Sequence, residues 1–334
     1  MEKIKRVIVF GATGAVGAYT VMDLINNGYK VIAVGARKSD NGFFAQYNVP
    51  YFSIDISDAA SFDALPKEDI VAAINLAGAM PASMKVYNPQ LYIDTILTGT
   101  LNILNYCVSS KIERIIFAQS VSDAIYLYGS KEPIPADIEM RFPVNNDHSV
   151  YGICKNAAVN LIEHFYVKHG LKRYILRFPN IYLYHPNKYY YVDCQKKWHA
   201  YRYLIELAKS GSPIEIWGNP SVERDMVYVK DCTQIILKAI ETNVDGGVYN
   251  VGTGIGTSLK DQIEGIVSVF SDVKHKSTIS YRPEMPDSPE YIMDVSKTRN
   301  ELGYEPKYDY ISYLQDMKQE MELNRFSLLW GNGE

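Results

Sequence analysis

The sequence has no cysteine pair at CxxC spacing, no long apolar run and no excess of basic charge, and each absence removes a class of function. Its four cysteines, Cys107, Cys154, Cys194 and Cys232, are scattered. That argues for free thiols in a reducing compartment and against a disulfide framework or a zinc site. His148, His164, His185 and His199 also lack metal-ligand spacing, so no metal is expected. The formal net charge of −4 gives no electrostatic footing for nucleic acid. No stretch approaches the roughly 20 apolar residues of a membrane span. The apolar run after the basic Met1–Arg6 segment is too short for a signal peptide. A cytoplasmic protein is expected, with neither nucleic acid nor membrane as a partner. The 334 residues suffice for a large core in two lobes. Tyrosine is abundant at 27 copies, and its abundance points to no function by itself.

What is present begins with Val7-Ile-Val-Phe-Gly11-Ala-Thr-Gly14-Ala-Val-Gly17. Four apolar residues read as a buried parallel strand. Three glycines follow, and an amphipathic run then closes at Gly28. Strand, glycine turn and helix are the parts of a dinucleotide site. Gly11 permits the tight turn, Gly14 lets backbone approach a pyrophosphate, and Gly17 lets helix pack on strand. The diphosphate would sit on free N–H groups at the helix N-terminus. The expected contacts there are Gly11, Thr13, Gly14, Ala15, Val16 and Gly17.

Tyr29–Val34 reads as the second strand. NAD-binding folds place an acid near its end for the ribose 2′-hydroxyl. Here Gly35-Ala-Arg37-Lys38 stands instead. Gly35 leaves room, and Arg37 and Lys38 can face a 2′-phosphate, so NADP is expected, with NAD as the alternative. Tyr51–Ile54 is a third strand, with Asp55 and Ile56 beside the adenine. Ile70–Leu76 is a fourth, ending in Ala77-Gly78, where backbone can approach a ligand. Pro89–Ser109 reads as a helix with a broad apolar stripe. Arg114–Ala118 is a fifth strand, followed by Ser120 and Ser122. Asp147–Ser149 reads as a cap for a long helix over Val150–Lys168, and Lys172–Arg177 as a sixth strand. This alternation predicts a doubly wound parallel sheet. Beyond Pro179, Tyr182–Tyr191 reads as a loop. Further short strands and helices follow, among them Asp231–Glu241 and Val248–Val251. The expected division is a dinucleotide-binding domain over residues 1–178, joined by 231–252. A smaller α/β substrate lobe takes 179–230 and 253–330.

Tyr151-Gly-Ile-Cys-Lys155 lies on the long helix. At i and i+4 the two side chains share one face. A phenol titrates near pH 10 when unperturbed, and a neighbouring ammonium favours its ionised form. The pair can then exchange a proton with a substrate hydroxyl while hydride moves to a cofactor.

Together, GATGAVG, YGICK, Ser122 before Tyr126, and Leu176-Arg-Phe-Pro-Asn180-Ile-Tyr resemble an extended short-chain dehydrogenase/reductase. More narrowly, the chain resembles the NAD(P)-dependent epimerase/dehydratase family that acts on nucleotide sugars, and the likeness runs nearly end to end. It implies Tyr151, Lys155 and Ser122 as catalytic residues. It adds Leu76, Ser120, Tyr151, Lys155 and Phe178 to the cofactor contacts. Gly218–Asp231 is similar to the segment whose arginine, here Arg224, grips the substrate diphosphate. Arg282-Pro283 matches a second such arginine, and Asp294–Pro306 the C-terminal signature. Arginine suits that task because its planar fork donates two hydrogen bonds to phosphate oxygens. Ser122, Asp123, Asn180, Trp217, Arg224 and Arg282 are therefore expected at the substrate, a UDP- or dTDP-linked sugar. The family's 4,6-dehydratases carry adjacent Asp and Glu after the catalytic Ser/Thr, whereas this chain has Asp123-Ala124. Ile96 also replaces an asparagine of the pattern. The expectation is a nucleotide-sugar epimerase acting at C4 through a transient 4-keto sugar. An NADPH-dependent reductase is the alternative, ahead of a dehydratase or a non-catalytic NADP sensor. The family's usual four-helix pairing implies a homodimer.

Overall fold

The computed structural model describes residues 6–146 and 148–332. Asp147 and the segments before Arg6 and after Asn332 lie outside the described residues, and with them the first of the three residues expected to cap the long helix. Seven strands form the central sheet: β1 (Arg6–Phe10), β2 (Lys30–Gly35), β3 (Tyr51–Ser53), β4 (Ile70–Asn75), β5 (Arg114–Ser120), β6 (Lys172–Phe178) and β7 (Gly246–Asn250). Every pairing is parallel, in the order β7-β6-β5-β4-β1-β2-β3. The chain winds outward from β1 through β3 and returns to β4, so the switch point lies between β1 and β4. Ligands in such sheets sit outside the C-terminal strand ends at this point. The expected doubly wound fold is thus observed, with the strand predicted at Val248–Val251 on one edge.

Sequence explains the burial. Val7 to Phe10 are each fully buried, because a parallel strand is covered on both faces and tolerates a continuous apolar run. One core cluster joins the helix Ala15–Asn26 to the helices Val229–Glu241, Leu259–Phe270 and Tyr310–Leu323. The other packs Ile103, Leu104, Ala158 and Ile162 on the opposite face. The helix Ser149–His169 ends at Gly170, whose φ of +70° reverses the chain.

Two elements depart from expectation. The helix predicted over Pro89–Ser109 is interrupted by a π-helical turn at Ile93–Thr98. The wider turn presents Thr95 to the loop after β4: its hydroxyl accepts from Ala79 N at 2.9 Å and donates to Leu91 O at 2.7 Å. Such bulges recur at functional sites. The predicted loop Tyr182–Tyr191 contains instead a strand, Tyr189–Val192, paired antiparallel with Gln195–Trp198. Its turn residues Asp193 and Cys194 both adopt positive φ, 47° and 61°. Cys107, Cys154 and Cys232 are buried free thiols and Cys194 an exposed one, as expected. Among the described residues no helix is long and apolar enough to cross a membrane and no metal-ligand cluster occurs.

Candidate active site

The glycine turn is built by sterics. Gly11 has φ +83°, and a Cβ there would lie 2.8 Å from the backbone of Leu76 and Ala77 at the end of β4. A Cβ on Gly17 would meet the Gly11 carbonyl at 2.1 Å. Gly14 is exposed and caps the helix without any side-chain hydrogen bond. The first-turn N–H groups of that helix, beginning at Ala15 and Val16, therefore face outward, as an anion requires. Thr13 is buried beneath the turn. These residues fit a dinucleotide pyrophosphate.

At the end of β2 the structure corrects one expectation. Gly35 leaves no room: a Cβ would stand 2.9 Å from Thr13 Oγ1 and 3.0 Å from the Tyr51 hydroxyl. The position an acid would take is filled by these two side chains. Arg37 and Lys38 are exposed beyond it. The Arg37 guanidinium donates to the Leu329 carbonyl and has no carboxylate partner among the described residues. Asp55 is exposed and caps its own turn through Ser57 at 2.9 and 2.7 Å, while Ile56 packs beside Gly99. Leu76, Ala77 and Gly78 are partly exposed at the end of β4.

Tyr151 and Lys155 are both buried near the C-terminal end of β5. The Tyr151 hydroxyl contacts Met80 Sδ at 3.8 Å, and a hydrogen bond with Ser120 opposes the upward push of burial on its pKa. Burial wins, and the phenol stays above its ordinary value. The expected lowering by Lys155 is therefore not present in this arrangement. Lys155 Nζ donates to Ala118 O at 2.6 Å and lies 5.9 Å from the Tyr151 ring centroid. Its own pKa is pushed down to about 8 by burial, which weakens it as a cation for its neighbour. The Ser122 amide donates to Ser120 Oγ at 3.1 Å, while Ser122 Oγ is buried without a partner. A buried hydroxyl without a partner is costly.

Asp123 is buried. Its carboxylate is locked by Arg177, Nε to Oδ1 at 2.9 Å and Nη2 to Oδ2 at 3.0 Å. Arg177 Nη1 also donates to Ala136 O and Asn250 Oδ1, each at 2.9 Å. Asn180 is exposed and Phe178 partly buried at the end of β6. Arg224 donates to Pro289 O at 2.8 Å and to Tyr182, with no carboxylate partner among the described residues. Arg282, by contrast, is taken by Glu284 at 2.7 Å and Glu215 at 3.5 Å. Trp217, paired in register with Arg282, is half exposed and donates to Glu215 at 3.0 Å. The structure thus brings Tyr151, Lys155, Ser120 and Ser122 together and leaves Arg224 available. It commits Asp123 and Arg282 to carboxylate–guanidinium pairs within the chain. Sequence reading missed Arg177 as the partner of Asp123, and the 54-residue separation left no local signal.

Comparison with known proteins places nearly the whole chain beside this fold. The family model described as NAD dependent epimerase/dehydratase family matches residues 7–252. A putative UDP-glucose 4-epimerase of Methanocaldococcus jannaschii is 27% identical over 309 residues, covering 91% of this chain and 94% of that protein. A UDP-glucose 4-epimerase of Rhizobium meliloti is 24% identical over 325 residues, covering 91% and 93%. Among solved structures, the UDP-glucose 4-epimerase of Thermotoga maritima, determined with UDP-glucose, superposes with a TM-score of 0.71 at 24% identity. It covers 94% of this chain and 99% of that one. The UDP-N-acetylglucosamine 4-epimerase from Bacillus cereus gives 0.72 at 19% identity, covering 96% and 97%. With the family model matching residues 7–252, most of its length, the chain belongs to the NAD dependent epimerase/dehydratase family.

Proposed function

We propose that the protein is a nucleotide-sugar epimerase acting at C4, with NADP as its dinucleotide. The observation that carries the reading is Tyr151 and Lys155 on one helix face beside Ser120 and the unpartnered Ser122 hydroxyl. The relatives named as UDP-sugar 4-epimerases support a UDP-linked substrate, with a dTDP-linked sugar as the close alternative. The engagement of Asp123 by Arg177, with alanine following, argues against a dehydratase, because elimination of water needs a free acid and base. The preference for NADP over NAD rests on Arg37 and Lys38 and on the absence of an acid at Gly35. A division into a dinucleotide domain and a substrate lobe, and a homodimer formed through the helices of residues 89–109 and 149–169, complete the proposal.

Tyr151 exchanges the proton of the sugar hydroxyl that becomes a ketone. Ser122 holds that oxygen through the hydrogen bond its hydroxyl lacks, and Lys155 stays anchored on the Ala118 carbonyl behind the phenol. The dinucleotide, when bound on the glycine turn, supplies acceptance and return of a hydride. Inversion would follow if the keto sugar presents its other face to the returning hydride while Tyr151 gives the proton back to the same oxygen. Arg224 holds the substrate diphosphate with the two-pronged geometry of a guanidinium. The reading is tested by incubation of the protein with nucleotide sugars and substoichiometric NADP or NAD. An epimerase converts many equivalents of sugar per dinucleotide. A reductase given oxidised dinucleotide can only oxidise up to one sugar per dinucleotide and leaves it reduced, and the absorbance of reduced nicotinamide distinguishes the two.

A further inference from the structure

The short helix Ser327–Trp330 lies across the glycine turn and the segment after β2. Trp330 Nε1 donates to Thr13 O at 3.0 Å. Arg37 Nη1 donates to Leu329 O, and Asn41 Nδ2 donates to Leu328 O at 2.9 Å. The Trp330 indole packs on His185 and on Phe326, each at 4.4 Å between centroids. Phe326 in turn packs on Tyr19 and Phe43 at 4.8 and 5.5 Å. Arg37 is therefore held at both ends: the Tyr51 hydroxyl donates to its backbone carbonyl at 2.6 Å, and Leu329 accepts from its guanidinium.

The charges at this corner are unbalanced. Neither Arg37 nor Arg202 has a carboxylate partner among the described residues. Arg202 is 2% exposed, donates to His185 O at 2.7 Å, and has a buried Nε without an acceptor. A carbonyl satisfies a hydrogen bond but neutralises no charge, and a desolvated cation without a counter-ion is costly. His185 feels both arginines: after burial, they are the largest causes that push its imidazole down to about 4. The corner presents two arginines with no carboxylate ion-pair partner among the described residues, the buried Asp40 within electrostatic reach of the same Tyr51 hydroxyl, and one unsatisfied N–H beside a dinucleotide turn.

We propose that Leu329 and Trp330 are positioning residues of the cofactor site, holding Arg37 at the end of β2 for the phosphoryl group on an adenosine 2′-oxygen. The proposal rests on the NADP reading. An arginine already fixed in place loses less freedom when it binds. Releasing it by undocking Trp330 costs affinity for a 2′-phosphate by roughly tenfold, the value of ordering one long side chain. A ligand without that phosphate does not use Arg37 and loses little.

The test is calorimetric titration of the full chain with adenosine 2′,5′-bisphosphate and with ADP. It uses wild type, Trp330→Ala, Trp330→Phe, Arg37→Ala and the double variant Arg37→Ala/Trp330→Ala. Trp330→Ala is expected to weaken the bisphosphate about tenfold and ADP less than twofold. Trp330→Phe keeps the ring contacts but not the bond to Thr13, and is expected to fall between. In the Arg37→Ala background, removing Trp330 is expected to change bisphosphate affinity less than twofold. Equal weakening of both ligands by Trp330→Ala, no change in either, or full additivity with Arg37→Ala overturns the proposal. If wild type binds ADP as tightly as the bisphosphate, the NADP reading fails and the proposal falls with it. A wild-type preference for the bisphosphate that survives Trp330→Ala overturns the positioning role alone.

Discussion

Arg177 and Asp123 are joined by two hydrogen bonds, 2.9 and 3.0 Å long, with both side chains withdrawn from water. The pair sits at the C-terminal ends of β5 and β6, one residue from Ser122, and Asn250 of β7 completes it. It holds the segment that carries the unpartnered serine, and its carboxylate is engaged within the chain. Breaking a buried pair leaves an uncompensated charge and costs about 3–5 kcal/mol. Asp123→Asn is expected to lose stability of that order in urea unfolding, while the turnover of the protein that remains folded changes little. Unchanged stability with abolished turnover would mean that Asp123 acts on the substrate.

Removal of the Tyr151 hydroxyl separates chemistry from binding. Positioned acid–base catalysis contributes about 10²–10⁴-fold, so Tyr151→Phe is expected to lower kcat by at least that much. Nucleotide-sugar affinity, measured by calorimetry, is expected to stay within a few-fold because the ring and its contact with Tyr92 remain. Near-wild-type turnover would remove Tyr151 from the mechanism. Ser122→Ala is expected to cost less, since water can replace part of its hydrogen bond.

Lys155 has a signature in stability. Burial holds its pKa at about 8 in the fold, against about 10.4 in an unfolded chain. Between those values the unfolded chain binds more protons than the folded one, so this residue makes stability rise with pH from about 8 to 10. The difference amounts to about 2 kcal/mol across that window. Lys155→Met is expected to flatten the rise relative to wild type in denaturant titrations at several pH values. Parallel pH profiles for the two proteins would contradict the buried-amine assignment.

Association is read from the surface. Leu91, Ile93 and Leu101 on one helical segment and Ile153 and Val167 on the helix Ser149–His169 are all exposed. Pairing of two copies through these helices would bury them about a two-fold axis. Light scattering at micromolar concentration is expected to give a dimer, and Leu101→Glu with Ile153→Glu a monomer. A monomeric wild type would remove the dimer from the account.

The parts of this fold legible in sequence were those encoded locally. The apolar run Val7–Phe10 and the glycines at 11, 14 and 17 specify strand, turn and helix without reference to anything distant. Tyr151 and Lys155 were legible because i and i+4 is a local relation. What escaped depended on residues far apart. The Asp123–Arg177 pair spans 54 positions and the Trp330–Thr13 bond 317. The hairpin Tyr189–Trp198 was hidden by composition: Asp193 and Cys194 both take positive φ, a task usually given to asparagine or glycine. The tyrosine surplus also gained an explanation only from packing. Tyr182, Tyr228, Tyr308, Tyr310 and Tyr313 contact one another in one core, at 5.1 to 6.0 Å between centroids.

The central claim is inversion at C4 of a nucleotide sugar, and the most direct measurement is proton NMR of a UDP-hexose incubated with the protein and catalytic dinucleotide. The account predicts a second sugar spectrum with the C4 hydrogen turned between axial and equatorial couplings. The same equilibrium mixture should be reached from either epimer, without net consumption of reduced dinucleotide. A product that has lost water, a product formed in step with dinucleotide oxidation, or no conversion of any UDP- or dTDP-linked sugar would contradict it.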